Sequence, residues 1–345
     1  MRDLRFAALA LFASVCFSAE PCSRIVFDND STHIVMVGRT LDWRTPIPTN
    51  LYVYPRGVAK QSMPSGNRLE WTSKYASVVA VGYDGGVTEG MNERGLVMNG
   101  LFCKGSIYKD AIGDTSMPVM SLSMLVSYFL DNFATVKEMR QWLETNPFGI
   151  NGKPFDGGTV SLLHWAATDA SGNTLLMEYQ NGQLDLYEGK DLKVLTNDPA
   201  YPQMLAINRY WEGIGGVNML PGTVKSADRF VRASFFINHV RTDVDEDTAL
   251  GTLSSIIGTV SVPLGYKVET EPNVSNTQWS SIADVKRQRY YFKFADSTAD
   301  FYVDMSKLLL NPDDPVLKLD TSDHSSMSGC VNHLLKRTKG FTPMW

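Results

Sequence analysis

The residue best placed to act as a nucleophile is Cys22, which follows an apolar N-terminal run and opens a strand-like stretch in Pro21-Cys22-Ser23-Arg24. A thiolate attacks a carbonyl far better than a thiol does, so a catalytic cysteine needs a base or a positive field beside it. An N-terminal cysteine carries its own base. Its α-amine, with an ordinary pKa of roughly 7.7 to 8, takes the thiol proton directly or through a water, and no catalytic histidine is required. That amine exists only when everything before Cys22 has been removed. Taken alone, a cysteine at such a place is more often buried or disulfide-bonded, so the reading depends on what the chain sets around it. Gly38-Arg39-Thr40-Leu41-Asp42-Trp43 brings Arg39 and Asp42 next to the strand expected to pair with the one carrying Cys22. By residue type the two are either a surface ion pair or part of a site.

The elements that must position these groups belong to a chain of ordinary globular composition. It has 345 residues, 43% hydrophobic and 20% charged, enough for one large domain or two small ones. A net charge of −5, with no run of Lys or Arg, argues against nucleic acid or an anionic membrane surface and leaves small molecules as the expected partners. Arg2 and Arg5 precede the apolar and small residues 6–19, which is signal-peptide anatomy. These 14 residues are too few to cross a bilayer. Export to a periplasm or the outside is expected, without stable membrane insertion. Small-x-small is best met at Cys16-Phe17-Ser18, while a cut after Ala19 puts Phe17 at −3, and either leaves a remnant ending in Pro21. Cys22, Cys103 and Cys330 then remain, an odd number. Cys103 and Cys330 are free to pair or to stay as packed thiols. Histidines at 33, 164, 239, 324 and 333 are scattered, so neither a metal site nor a cofactor is expected.

Residues 25–27 and 34–37 are β-branched runs around the turn chemistry of Asp28-Asn29-Asp30-Ser31-Thr32, which predicts a hairpin starting at Cys22. Further strands are expected over 76–82, 87–91, 95–101, 161–167, 173–179, 183–187, 277–283, 289–295 and 298–305. Helical spacing covers 118–133, and Thr135-Val136-Lys137-Glu138 has capping-box form before a helix to about residue 144. Ser226 is a candidate cap for a helix over 227–241, and 245–260 reads as another. Strands, two helices, strands, two helices and strands make an α+β layering. Residues 1–21 are expected as signal peptide and short pro-remnant, 22–310 as one domain and 311–345 as a polar tail. His164-Trp165 reads as a packed strand pair, and Trp43, Tyr52 and Tyr54 suit an apolar acyl group or the core.

These segments together resemble the choloylglycine hydrolase family, the N-terminal nucleophile hydrolases that include penicillin V acylases and bile salt hydrolases. The resemblance rests on Cys22 with Gly38-Arg39-Thr40-Leu41-Asp42, Gly90-Met91-Asn92-Glu93-Arg94-Gly95-Leu96, Leu163-His164-Trp165, Leu195-Thr196-Asn197-Asp198-Pro199, Ala227-Asp228-Arg229-Phe230 and Thr277-Gln278-Trp279. It implies a four-layer αββα sandwich and hydrolysis of a linear amide. Carried over residue by residue, it implies Cys22 as nucleophile with its α-amine as base, and Arg39 beside the thiol to favour thiolate. Asp42 would hold the amine, Asn197 would be an oxyanion donor, and Arg229 would complete the charged set. Many bile salt hydrolases have Gly-Leu-Asn where this chain has Gly100-Leu101-Phe102, which leaves the backbone N–H of Phe102 as the second oxyanion candidate. The segment from Asn197 to Arg229 also looks shorter than in bile salt hydrolases from Gram-positive bacteria, where a hairpin there helps build a tetramer, so a homo-oligomer stays open.

The expected function is that of an exported, penicillin V acylase-like amidase working through a thioester on Cys22, with the remnant removed by the protein itself or by another protease. Phenoxyacetyl or fatty acyl amides are expected ahead of bile salt conjugates, because Phe102 replaces a polar side chain. The alternatives are a conjugated bile salt hydrolase, an N-acyl homoserine lactone acylase, or a non-catalytic binding protein on the same fold.

Overall fold

The computed structural model describes residues 22–108, 116–152, 161–269 and 274–345; residues 1–21, expected as signal peptide and short pro-remnant, lie outside them. In chain order, strands β1 (Ser23–Asn29), β2 (Ile34–Trp43) and β3 (Thr49–Tyr54) lead to a small ribbon, β4 (Ala59–Gln61) and β5 (Glu70–Thr72). Strands β6 (Ser77–Gly82), β7 (Gly86–Asn92), β8 (Val97–Phe102) and β9 (Val119–Ser121) precede α1 (Leu122–Asn132), α2 (Val136–Thr145) and β10 (Gly149–Asn151). Strands β11 (Leu163–Thr168), β12 (Thr174–Gln180), β13 (Gln183–Gly189) and β14 (Val194–Leu195) follow, then helices α3 (Tyr201–Ile214), α4 (Ser226–His239) and α5 (Glu246–Val260). The chain ends with β15 (Asn276–Asp284), β16 (Arg289–Phe294), β17 (Phe301–Asp304), β18 (Val316–Leu319), β19 (Gly329–Cys330) and β20 (Lys336–Thr338).

A seven-stranded sheet in the order β14-β1-β2-β15-β16-β17-β19 faces a nine-stranded sheet in the order β13-β12-β11-β8-β7-β6-β3-β18-β20. Side chains of a strand alternate between its faces, and here each face meets a different apolar layer. Val26, Val35, Val37 and Leu41 point between the sheets, whereas Ile25, Phe27, Ile34 and Met36 point outward under α4 and α5. A third layer, from Val79, Val81 and Met98 to Phe129 and Leu130, lies between the nine-stranded sheet and α1. The result is the αββα sandwich. Burial on both faces explains why β1 and β2 read as continuous apolar runs.

Two motif glycines are set by this layering. A Cβ at Gly38 would run into Ile257 and Leu253 of α5, and one at Gly90 would meet the Val78 carbonyl and Leu130 of α1. The Asn92 amide in the same motif closes the β7–β8 turn, since Oδ1 accepts the Arg94 and Leu96 N–H groups while Nδ2 donates to the Leu130 and Phe133 carbonyls at the end of α1.

Several elements depart from expectation. The apolar run expected as a helix over 118–133 begins as β9, and α1 starts only after Ser121, whose side chain caps it. Thr135 and Glu138 form the expected capping box. Ser226 does not cap α4, because its hydroxyl donates to Thr196 Oγ1 at 2.9 Å. Helix α3 was not foreseen: only Tyr201 and Met204 are buried along it, so no apolar stripe marks it. Residues 311–345 are more than a polar tail. β18 pairs with β3 and with β20, Phe341 packs against Tyr52 and Tyr54, and the Met344 carbonyl accepts from Ser121 and Ser123. Short elements and lone apolar residues give too weak a periodic signal to reveal this. Cys22, Cys103 and Cys330 are free thiols, and no helix among the described residues is long and apolar enough to cross a membrane.

Candidate active site

Cys22 immediately precedes β1, at the floor of a cavity of about 290 Å³. Antiparallel pairing of β1 and β2 sets Ser23 opposite Thr40 and Arg24 opposite Arg39, so Arg39, Thr40 and Asp42 are all carried alongside the cysteine. The loop after β14, the first turn of α4 and the end of β8 then converge on it. The Cys22 N–H donates to Asn197 Oδ1 at 2.6 Å, and Arg229 Nη2 donates to the same oxygen at 2.8 Å. Arg229 Nη1 donates to the Cys22 carbonyl and to Ser23 Oγ at 2.7 and 2.6 Å. Asn197 Nδ2 donates to the Phe102 carbonyl at 2.7 Å, leaving its second hydrogen uncommitted to that bond. Asp42 Oδ2 accepts from Thr40 Oγ1 at 3.0 Å, and Thr40 Oγ1 in turn accepts the Ser23 N–H. The six site residues proposed from sequence are therefore brought together.

Two buried polar atoms in this set have no hydrogen-bond partner among the described residues, Asp42 Oδ1 and Arg39 Nη2. A buried unpaired polar atom is costly. Both belong to residues that line the cavity, so the site holds an open acceptor and an open donor beside the thiol.

Charge is confined here as well. Arg24, Arg39 and Arg229 are at most 1% exposed, and Glu89 and Asp42 are fully buried. Three guanidinium groups against two carboxylates leave one positive charge in excess, which an ionised Cys22 would neutralise. Burial nevertheless pushes the Cys22 thiol up, and Arg39 opposes this without outweighing it. Arg39 thus acts in the direction expected from sequence but does not leave a standing thiolate, which makes a base necessary. Burial also raises the Asp42 carboxyl to about 6 against the pull of Arg229, and it lowers the Arg229 guanidinium to about 10 despite Asp42 and Cys22.

The residue that sequence reasoning missed is Glu89. From β7 it accepts from Arg39 Nη1 at 2.8 Å and Asn99 Nδ2 at 3.2 Å, and it bonds Ser281 and Tyr290 of the opposite sheet. It fixes the guanidinium of Arg39 and ties the two sheets together. Its place directly before Gly90-Met91-Asn92 was the available signal. Asp198 was also missed: its carboxylate accepts the N–H groups of Lys104 and Gly105 at 2.8 and 2.7 Å, fastening the Asn197 turn to the end of β8.

The cavity walls are mostly apolar. Trp43, Ile47, Val87, Phe102, Leu162 and Trp165 line it, and the rings of Trp43 and Phe102 meet edge to face at 5.9 Å. Of the three early aromatics, Trp43 faces the cavity, while Tyr52 and Tyr54 belong to the core under α1.

A cysteine at the start of the first strand of an αββα sandwich, ringed by buried arginine, aspartate and asparagine, is the arrangement of N-terminal nucleophile hydrolases. The chain belongs to the linear amide C–N hydrolases of the choloylglycine hydrolase family, whose pattern matches residues 22–318. It is 35% identical over 328 residues to the penicillin V acylase of Pectobacterium atrosepticum, covering 90% of this chain and 86% of that one. It is 25% identical over 309 residues to a bile salt hydrolase/transferase of Clostridium perfringens, covering 81% and 90%. The solved penicillin V acylase of Agrobacterium tumefaciens superposes with a TM-score of 0.86 at 40% identity, covering 94% of this chain and 99% of that one. The conjugated bile acid hydrolase of Clostridium perfringens, at 20% identity and a TM-score of 0.72, shares the fold.

Proposed function

We propose that this protein is an exported, penicillin V acylase-like amidase that cleaves linear N-acyl amides through a thioester on Cys22. The observation that carries the reading is the open donor and acceptor, Arg39 Nη2 and Asp42 Oδ1, beside a buried thiol at the floor of an apolar cavity. Once Cys22 is N-terminal, its neutral amine takes the thiol proton while sulfur attacks the acyl carbon. The carbonyl oxygen gains charge and is met by the remaining hydrogen of Asn197 Nδ2. A second donor is the Phe102 N–H. Cys103 N donates to the Leu162 carbonyl, so by antiparallel alternation the Phe102 and Leu163 pair is the non-bonded one, and the Phe102 N–H turns away from β11. It points to the same side as its carbonyl, which meets Asn197. The ammonium then protonates the leaving nitrogen, the C–N bond breaks and the thioester remains. A water that gives its proton to the amine hydrolyses the thioester, releasing the acid and restoring the thiol.

The acyl group is argued from shape. A cavity of about 290 Å³ is at the lower edge of the ~300–1,000 Å³ usual for ligand sites, and its aromatic walls suit one ring or a short chain better than a four-ring steroid. Purified enzyme given penicillin V, penicillin G, glycine and taurine bile salt conjugates and acyl homoserine lactones should turn over phenoxyacetyl or fatty acyl amides with the highest kcat/KM. A clear preference for bile salt conjugates would overturn that assignment. Export to the periplasm or beyond is supported by the basic and apolar character of residues 1–21, which precede the family match beginning at residue 22.

The same geometry sets an acid limit. Asp42 must be ionised to hold the amine, and its carboxyl titrates at about 6. As the pH falls through that value the carboxylate takes a proton and the base loses its anchor. The kcat/KM profile should therefore fall on its acid side first as the amine takes a proton and then more steeply near 6 as Asp42 does, and Asp42→Asn should be slow and keep only the first limb. A wild-type profile flat over roughly pH 5 to 7 would remove Asp42 from this role.

A further inference from the structure

The packed pair expected at His164-Trp165 conceals a charged group that the mechanism above does not use. His164, on β11, is fully buried. Its Nδ1 is 2.9 Å from Glu178 Oε1 on β12, and its Nε2 is 2.8 Å from the Thr196 carbonyl. A carbonyl oxygen only accepts, and the Glu178 carboxylate also accepts the Tyr201 N–H at the start of α3. Both ring nitrogens therefore donate, and the ring carries two protons. Burial opposes that charge, and the Glu178 carboxylate beside the ring favours it. Cys103, His164 and Glu178 bring their ligand-type atoms within 4.8 Å of one another. With both nitrogens donating to oxygen, however, His164 has no lone pair for a metal.

The carbonyl it holds is one bond away from Asn197. β14 ends at Leu195, so Thr196-Asn197-Asp198 continues beyond the ladder and is held by side chains. His164 takes the Thr196 carbonyl, Ser226 takes the Thr196 hydroxyl, Arg229 takes the Asn197 oxygen, and Asp198 reaches Lys104 and Gly105. An oxyanion donor works only when placed to within about 0.5 Å.

We propose that His164 is a positioning residue, an imidazolium clamped by Glu178 that grips the Thr196 carbonyl and so fixes the peptide presenting Asn197 to the substrate. The inference rests on the assignment of Asn197 as oxyanion donor. It differs from a merely structural role in what a substitution should change. Kinetics of the processed enzyme on a chromogenic amide, with His164→Leu, His164→Gln and His164→Asn, test it. The Gln amide reaches the place of Nε2 and can still donate to Thr196; the Asn amide reaches only that of Nδ1.

His164→Leu should lower kcat by about 10- to 100-fold, less than loss of a whole donor, with KM within about threefold of wild type. His164→Gln should recover most of the rate and His164→Asn should not. The pH profile of Cys22 alkylation should be the same in all, because Arg39 and Asp42 are untouched. Full kcat in the Leu variant, equal rates for Gln and Asn, or a displaced alkylation profile would each overturn the proposal. If the Leu variant does not fold, the comparison of Gln with Asn decides. Asn197→Ala measured alongside separates the two failures: full rate there removes the oxyanion assignment itself, whereas a slow Asn197→Ala beside unaffected His164 variants removes only the brace.

Discussion

Protein that still carries Pro21 ahead of Cys22 is expected to be inactive, and active protein is expected to begin at Cys22. In the longer chain the Cys22 nitrogen is a peptide nitrogen whose lone pair is delocalised into the preceding carbonyl, so it cannot take a proton near neutral pH. It has one hydrogen, already given to Asn197 Oδ1 at 2.6 Å. Among the described residues no other base is hydrogen-bonded to the thiol. The thiol is pushed up by burial, and Sγ is hydrogen-bonded to the Asp42 carbonyl at 3.7 Å, which cannot accept a proton outright. Asp42 Oδ1 is buried without a partner, and a freed α-amine brings the hydrogens that would satisfy it. Cleavage therefore creates the base and supplies the missing donor together. Intact mass and amidase assays on the same preparation measure this: activity should track the fraction beginning at Cys22. Cys22→Ala should abolish hydrolysis, and Cys22→Ser should retain little, since a hydroxyl is much harder to deprotonate. Full activity in molecules retaining Pro21 would sink the mechanism.

How far the site was legible follows from the range of each signal. Cys22, Arg39 and Asp42 fall within one hairpin, and period-2 alternation with its turn chemistry is a local pattern, so their proximity could be argued from spacing. Asn197 and Arg229 lie 175 and 207 residues from Cys22, and only the resemblance placed them there. Glu89 escaped notice because a lone acid in a strand reads as solvent-facing, whereas its partners come from both sheets and become visible only once the sandwich closes. The same holds for His164 and Glu178. Packing arguments rank a histidine between apolar residues as core, and only the position of the Thr196 carbonyl shows what it holds. Helix α3 and the terminal strands were missed for a different reason. Few of their side chains are buried, so hydrophobic periodicity, which reports burial, is faint there.

Asn197→Ala is expected to lower kcat by about 10²- to 10³-fold, about 2.7–4 kcal/mol of transition-state stabilisation, with a smaller change in KM. The reason for the split is that the Nδ2 bond to substrate strengthens only as the carbonyl oxygen becomes an anion. The alanine variant removes more than a donor, because Asn197 Oδ1 also accepts from Cys22 N and from the buried Arg229. Asn197→Asp separates the two functions. It keeps an oxygen for the Cys22 nitrogen and for Arg229 while losing the Nδ2 bond to the Phe102 carbonyl, so thermal unfolding should stay closer to wild type than in the alanine variant. It also replaces the donor with an acceptor facing the developing oxyanion, and like charges oppose there, so the loss of rate should be at least as large as in the alanine variant. If instead Asn197→Asp turns over substrate at near wild-type kcat, Asn197 serves only to hold Arg229 and the Cys22 nitrogen, and stabilisation of the oxyanion must come from the backbone at Phe102.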